Sequence, residues 1–175
     1  IMATVRKWSN VAVAMQSALG TAKTITSIAV GATATVTATH DFSAGDFVVF
    51  DVIGMYQLNG RVFRVLSVST TVSFVIEGSG AASLNTTGYD AFTSGTCKKI
   101  TFGTSITTAT SINASGGDFD FIDTTTIHTN QKTQVPGSAN PLSYSFDNIW
   151  DPADAGQIAM LSASDSQAQR AFKFT

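Results

Sequence analysis

The fold class is decided by the stretch 59–68, which reads NGRVFRVLSV. Successive side chains of an extended strand point to opposite faces, so Phe63 and Val65 fall on one side while Val62 and Arg64 fall on the other. The Asn-Gly pair that opens the stretch is a strong signal for a tight turn. The stretch therefore predicts a β-strand that the chain enters through a turn.

Similar segments recur along the chain, in which Thr, Val, Ile and Phe are abundant and glycines stand between the runs. Short runs of this kind between turn residues are typical of strands. The predicted strands are 8–17, 24–28, 33–39, 47–52, 61–68, 72–77, 98–102, 104–110, 143–149 and 171–175. A short helix over 9–20 is the alternative for the first of them, because its alanines favour a helix. The close spacing of the strands between 24 and 77 predicts a small closed or sandwiched β-unit.

One α-helix is predicted near the end of the sequence. Asp151 is a natural N-cap, Pro152 suits the first helical position, and the helix is expected to end near Ser164. Gly156 should cost this helix about 1 kcal/mol relative to alanine. The apolar stripe expected to pack against the sheet consists of Ala155, Ile158, Ala159 and Leu161. The chain stops at Thr175 inside the last strand, which predicts a sheet edge that further sequence or another chain completes.

The composition excludes several classes of protein. Apolar residues make up 43% of the 175 residues, enough for a core, whereas charged residues make up only 13%, about half the usual share. Ser and Thr fill about a quarter of the chain, and a polar surface with so few charges repels other copies only weakly. The net charge is −2 and no basic cluster exceeds two residues, which argues against direct binding of DNA. No run approaches the roughly 20 apolar residues of a membrane span.

The sequence contains no recognisable catalytic set, and we predict a non-enzymatic protein with no catalytic residue, cofactor or metal. Its two histidines, His40 and His128, fit a polar turn and a polar loop better than acid–base or metal chemistry. Cys97, the single cysteine, is expected to be a small buried residue of a strand. The large aromatic side chains are expected to be core residues before they are binding platforms, and they are Trp8, Tyr56, Tyr89 and Trp150.

Two polar segments have a pattern of their own. Residues 118–121 alternate acid and aromatic side chains, which predicts a strand with one polar and one buried face. Asp118, Asp120 and Asp123 lack the glycine placement of a calcium loop, so they indicate a solvated strand, or a surface that must repel phosphate. The segment 124–141 contains Pro136 and Gly137 and is either a functional loop or an extended hairpin.

Two sets of residues resemble known families. The stretches 39–46 (THDFSAGD) and 54–65 (GMYQLNGRVFRV) resemble a small β-module of bacteriophage structural proteins, which has been likened to the FCCH domain of ubiquitin-activating enzymes. The second set combines 7–15 (KWSNVAVAM), 118–128 (DFDFIDTTTIH), 135–137, 144–147 and the Asp-Pro start of the helix. It is similar to the core of tail tube proteins from long-tailed, non-contractile bacteriophages, the siphophage major tail proteins.

This resemblance implies a mainly β fold. A tail-tube-type β-sandwich or barrel core with one α-helix, formed by 1–22 and 98–175, would be interrupted by a small inserted β-barrel-like module, 23–97. The module would decorate the outer surface. Family members usually continue past the last strand, so the sheet that ends at Thr175 would be incomplete in this sequence.

The resemblance also implies a role. Tail tube proteins form rings, usually of six subunits, that stack into a hollow tube in the virion, assembled in the cytoplasm of the host bacterium. Each subunit lends strands to an inner barrel, DNA passes through without specific binding, a tape measure protein occupies the lumen, and other tail proteins bind the tube ends. The lumen tends to be acidic, which makes Asp118, Asp120 and Asp123 the lumen-facing candidates. A long loop reaches the next ring, and its candidate residues are Thr124, His128, Gln131, Lys132, Pro136 and Gly137.

Two other functions remain open from the sequence. The chain would be a surface adhesion or receptor-binding module of a phage or a bacterium if exposed aromatics such as Tyr56 and Tyr89 bound a glycan or a host protein. A small enzyme that depends on His40 is the third hypothesis, which the shortage of histidines disfavours.

Overall fold

The computed structural model describes residues 11–128 and 130–175. The fold is mainly β, with 47% of the residues in strands and 9% in helical segments. The mainly β fold with one α-helix is therefore confirmed for this part of the chain. A single 3₁₀ turn spans Tyr56–Leu58. The strands are β1 (Val13–Leu19), β2 (Lys23–Ile28), β3 (Thr35–Ala38), β4 (Phe47–Ile53), β5 (Val62–Ser69), β6 (Ser73–Ile76), β7 (Ser94–Ile106), β8 (Ala109–Ser115), β9 (Phe119–Asp123), β10 (Gln134–Ala139), β11 (Ser143–Asn148) and β12 (Phe172–Phe174), and the helix is α1 (Ala155–Asp165).

The strands between 23 and 106 close into a six-stranded barrel. β2 pairs with β3, β3 with β6, β6 with β5, β5 with β4, β4 with β7, and β7 pairs again with β2, all antiparallel. Closure of this kind leaves none of the six strands as an open edge. β1 and β12 extend the sheet from the far part of β7. The small closed β-unit predicted from the strand spacing is thus confirmed.

Aromatic and aliphatic side chains fill the barrel. Phe50 is almost fully buried and its ring contacts those of Phe63 and Phe74 at centroid distances of 5.8 and 6.4 Å. Burial of each side chain of this size contributes about 1.5–3 kcal/mol. Phe63 and Val65 point into this core, while Arg64 points outward and pairs with Glu77 at 2.8 Å. The alternation of 61–68 therefore predicts the strand correctly, and the barrel decides which face is buried.

The predicted pair of strands 98–102 and 104–110 is wrong. β7 runs without a break through Gly103, and β8 is a separate strand that starts at Ala109. Gly103 bulges out of the pairing with β1, since Met15 lies opposite Thr104 and Gln16 lies opposite Phe102. A Cβ atom on Gly103 would lie 2.7 Å from Ser17 Oγ. A glycine that resembles a strand break in the sequence is here a bulge that bends a continuous strand.

Contacts divide the chain into two compact units. The first contains residues up to 106 together with 155–175, and the second contains 107–154. The predicted division into a core (1–22 and 98–175) and a module (23–97) has its boundary inside β7 and stays a prediction. At the start of the chain, β1 favours the predicted strand over the alternative helix, while residues 8–10, including Trp8, lie outside the described residues.

The predicted start and buried face of the helix are wrong. The backbone N–H of Ala153 donates to Asp151 Oδ1 at 2.9 Å and that of Asp154 donates to the Asp151 carbonyl at 3.1 Å, so Asp151 starts a turn and α1 begins only at Ala155. The buried helix residues are Gly156 and Gln157, whereas Ile158 and Leu161 are exposed. A Cβ on Gly156 would lie 2.7 Å from Ile106 Cγ1 and 2.8 Å from the Ser105 carbonyl oxygen. The helix packs so closely on β7 that only glycine fits there.

Cys97 is fully buried between neighbouring barrel strands, as predicted. Burial raises the pKa of its thiol to about 12, so the thiol stays protonated over the whole range in which the protein would be handled. Because the thiolate is the reactive form, we expect no reaction with a disulfide reagent at pH 8 in the native protein, and one thiol per chain once it is unfolded. Absorbance of the released thiolate measures this. Stoichiometric labelling without denaturant would contradict the buried position.

Candidate assembly surface

The second compact unit is a long two-stranded arm, 107–154. β8 pairs with β11, and the continuation of each strand pairs again as β9 with β10. Gly116 and Gly117 join the two parts with φ values of +86° and +82°, which favour glycine. A Cβ on Gly116 would clash with the carbonyl oxygen of Pro141 on the returning chain. Glycine is therefore favoured at 116 by both the backbone conformation and the space, and at 117 by the backbone conformation.

The predicted loop over 124–141 is wrong in its second half, where the extended-hairpin alternative is correct. β10 occupies Gln134–Ala139, so Pro136 and Gly137 lie in a strand and not in the loop. β10 pairs with β9 alone, and a proline is tolerated on such an edge. The remaining loop spans 124–133 and is closed by a hydrogen bond from the Thr124 N–H to the Thr133 carbonyl at 2.9 Å. The other candidate residues, Thr124, His128, Gln131 and Lys132, are all exposed in this loop.

The arm exposes large apolar side chains along its whole length. Two predictions are wrong here, since β9 has no buried face, with Phe121 63% exposed, and Trp150 is 72% exposed rather than a core residue. Ile127, in the loop, is 97% exposed. The physical reason is that a two-stranded ribbon has no second layer to cover either face. The exposed set is Phe119, Phe121, Ile122, Ile127, Val135, Leu142, Tyr144, Ile149 and Trp150.

The three acidic candidates do not all share one face. Asp118 and Asp120 alternate along one side of the chain, while Asp123 follows Phe119 and Phe121 on the other side. Asp120 Oδ1 accepts a hydrogen bond from Asn140 Nδ2 at 3.2 Å. Hydrogen bonding to Thr125, from its hydroxyl and then from its backbone N–H, lowers the pKa of Asp123. Among residues 11–128 and 130–175, no three acidic, histidine or cysteine side chains are grouped so that they could hold a metal ion.

The arm and the rest of the chain carry opposite charge. Six aspartates and one lysine, Lys132, fall within 107–154, which gives this segment a net charge of −5. The other residues contain nine Lys or Arg and six acidic residues, a net charge of +3. The two segments of the chain therefore differ by eight units of net charge, since −5 and +3 lie eight apart.

The two histidines lie in different surroundings, one buried and one exposed. His40, predicted in a polar turn, is buried between Phe42 and Phe74, with its ring 5.2 and 5.1 Å from theirs. Its Nδ1 accepts a hydrogen bond from the Phe42 N–H at 3.1 Å. The neighbouring Asp41 pairs with Lys23 at 3.0 Å, so that carboxylate is engaged outside the aromatic cluster. His128 is exposed.

The remaining aromatic candidates divide between surface and core. Tyr56 is exposed, against the prediction of a core residue, whereas Tyr89 packs against the barrel core as predicted. Sequence reasoning missed the exposed apolar residues at the end of the arm, Ile149 and Trp150, and those of the helix. The strand and helix periods of these residues predict a shared face, and only the structure shows that this face is uncovered.

Comparisons with known proteins identify the family. The family model described as phage tail tube protein matches residues 53–175, which include the whole arm and α1. No curated protein matches the chain. Within the described residues, no helix combines the length and apolar character that crossing a membrane requires. Membership of a structural family supports the prediction of a non-enzymatic protein that assembles with other tail components. This match over most of the sequence confirms the resemblance drawn from 118–128 and the helix, and the chain belongs to the phage tail tube protein family, as a structural component of the virion tail.

Proposed function

We propose that copies of this chain assemble into rings of six subunits, which stack into the hollow tail tube through which DNA leaves the virion. The observation that carries the proposal is the arm, a two-stranded ribbon with nine large apolar side chains exposed. An isolated two-stranded ribbon is marginally stable in water, and an exposed apolar patch of this extent is typical of an interaction surface. Contacts with neighbouring copies in an assembly would cover these side chains.

The ring is proposed because of how ribbons can join. A head-to-tail contact between copies generates a ring when its rotation closes, and a sheet that continues from copy to copy around the ring has no open edge. The pairs β8–β11 and β9–β10 are each two strands wide, so each copy would add four strand segments to such a wall. The low charge of the chain keeps the cost of removing water from the contact small.

Asp118 and Asp120 would face the lumen on one side of the wall. Carboxylates act on phosphate over roughly the Debye length of 8–10 Å, which is enough to keep DNA from adhering to the wall of a narrow tube. Asp123 lies on the opposite side by alternation, where Phe119 and Phe121 would contact protein. The loop 124–133, with Ile127 in it, would reach the next ring.

Within this proposal the barrel module, 23–97, decorates the outer surface of the tube. The tape measure protein would occupy the lumen during assembly in the host cytoplasm, and other tail proteins would bind the tube ends. No cofactor is needed for such a role. One observation favours adhesion as a second function, namely that Tyr56 is exposed on the barrel and available to a glycan. A glycan array with reproducible hits that are lost in Tyr56→Ala would support it.

Electron microscopy of the purified protein tests the assembly. We expect rings and tubes at high protein concentration, because apolar burial grows with the number of arms in contact. A protein that remains monomeric by sedimentation at every concentration, with no rings on the grid, would contradict the proposal.

The lumen assignment predicts a separate effect on DNA. Changing both Asp118 and Asp120 to lysine should leave tubes intact by microscopy but slow DNA ejection from virions, because the wall would then attract phosphate. Asp165→Lys, at the end of α1 and outside the arm, is the matched control and should eject normally. Normal ejection by the double variant would remove both residues from the lumen.

A further inference from the structure

The first unit contains an apolar groove beside its last strand. The groove has a volume of 780 Å³ and lies between β12 and the outer faces of β4 and β5. Phe47, Val62 and Phe102 line it from the barrel, and Phe172 lines it from β12. An adjoining cavity of 540 Å³ shares Val62 with it and continues along the barrel. The two cavities have Val62 and Ala171 in common, and we call them together the β12 groove.

The charged side chains that line the β12 groove are cations. Arg64 and Lys173 line the larger cavity and Arg170 lines the smaller one, and neither lining includes an Asp or Glu. Lys173 Nζ lies 5.4 Å from the centre of the Phe47 ring, so the cation stands at the apolar wall. Arg64 is paired with Glu77, but among the described residues neither Arg170 nor Lys173 has a carboxylate partner. The groove therefore suits an occupant that is both apolar and acidic.

The arm has these two properties. Its net charge is −5 against +3 for the rest of the chain, and its β9 carries Phe119, Phe121 and Asp123 on one face. The same face continues on β10 with Gln134 and Pro136, which lie opposite Asp123 and Phe121. Phe121 is 63% exposed in the single chain.

We propose that the β12 groove receives the β9–β10 part of the arm of a second copy. The face that carries Phe119 and Phe121 would lie against the apolar wall, and the carboxylate of Asp123 on that face would lie beside Arg170 and Lys173. This inference rests on the proposed self-assembly and specifies which surfaces meet. DNA is a second acidic occupant to consider, but it fits the groove less well. It has no apolar side chain to place against the wall, and three cations are too few to bind a phosphate backbone strongly.

A cross-linking experiment between two variants tests the contact. One variant carries Gln134→Cys on the arm, and the other carries Gln169→Cys in the groove and is labelled with ¹⁵N; both positions are exposed. Each has one accessible thiol, since Cys97 is buried, so a product that joins 134 to 169 can form only between two molecules. The variants are mixed under assembly conditions, treated with a short bismaleimide and analysed by mass spectrometry. The control pairs Gln134→Cys with Ser79→Cys, an exposed barrel position that is absent from the groove lining.

We expect the 134–169 product to exceed the 134–79 product by roughly tenfold or more, because docked side chains reach effective concentrations far above those of free solution. The yield should fall at about 1 M salt, where the Debye length shrinks to about 3 Å. Tubes seen by microscopy together with equal yields of the two products would overturn this inference and leave the proposed function standing. Absence of tubes would overturn the proposed function itself.

A gel-shift experiment with duplex DNA at low salt tests the other occupant. DNA that is retarded by the protein but not by the Arg170→Glu, Lys173→Glu double variant would assign the groove to nucleic acid instead.

Discussion

Rings that do not stack into tubes are the expected result when residues 125–132 are replaced by Asn-Gly. The hydrogen bond between the Thr124 N–H and the Thr133 carbonyl closes the ribbon just before this segment, and a two-residue Asn-Gly turn matches the twist of such a pair. The shortened variant should therefore keep β9 and β10 in register and keep the side-by-side contacts of the arm. Only the contact to the next ring would be lost, so the effect on tube length should be nearly complete.

Negative-stain microscopy and sedimentation separate the possible results. Rings without tubes support the role of the loop, whereas long tubes from the shortened variant would refute it. Ile127→Asp should have the same effect as the shortening, because a carboxylate at a position that is 97% exposed in the single chain would have to be buried on stacking. Ile127→Val is its matched control and should still form tubes.

A loss of stability is expected from Gly156→Ala, although alanine is the better helix former by about 1 kcal/mol. The new Cβ would lie 2.7 Å from Ile106 Cγ1 and 2.8 Å from the Ser105 carbonyl oxygen. The oxygen belongs to the backbone of β7 and cannot rotate away, so the helix must move off the strand. Overpacking of this kind costs about 1–3 kcal/mol, which exceeds the gain in helix propensity.

The measurement is the free energy of unfolding in urea or the midpoint of thermal unfolding, which shifts by about 2–4 °C per kcal/mol for a chain of this size. Ser162→Ala on the exposed side of α1 is the control, and it should leave stability unchanged or slightly raised. If Gly156→Ala raised stability as well, the close approach of α1 to β7 would be incorrect. The glycine would then only lower the helix propensity of α1, as the sequence predicts.

Much of the fold could be predicted because a strand is a local property. The stretch 59–68 alternates side chains, and turn residues separate it from its neighbours, so strand positions in the barrel follow from short segments. Phe50 and Phe74 needed only to be apolar within such segments to become core residues. The predicted break between 102 and 104 is wrong because glycine can have two roles in a strand. A glycine often marks the end of a strand, whereas Gly103 forms a bulge within the continuous strand β7.

Burial along the arm could not be predicted in the same way. The alternation of Phe119 and Phe121 with acidic residues is that of a half-buried strand, yet both rings are exposed. A period of two tells which side chains share a face, but whether that face is covered depends on a second layer, and here the single chain supplies none. The same reason explains why Trp150 was expected in the core.

By itself the sequence determined that the chain is mainly β, where most strands lie, that its charge is low, and, through the resemblance carried by 118–128 and the helix, which family it belongs to. These depend on local periodicity, on composition and on the order of motifs, and none requires knowledge of what a residue packs against. The tertiary structure alone decided that six strands close into a barrel, that α1 packs on β7 too closely at Gly156 for a side chain, and that 107–154 is an arm whose large apolar side chains are exposed. These depend on contacts between residues far apart in the chain, because burial and close packing are properties of pairs of surfaces, and one strand's sequence specifies only its own surface.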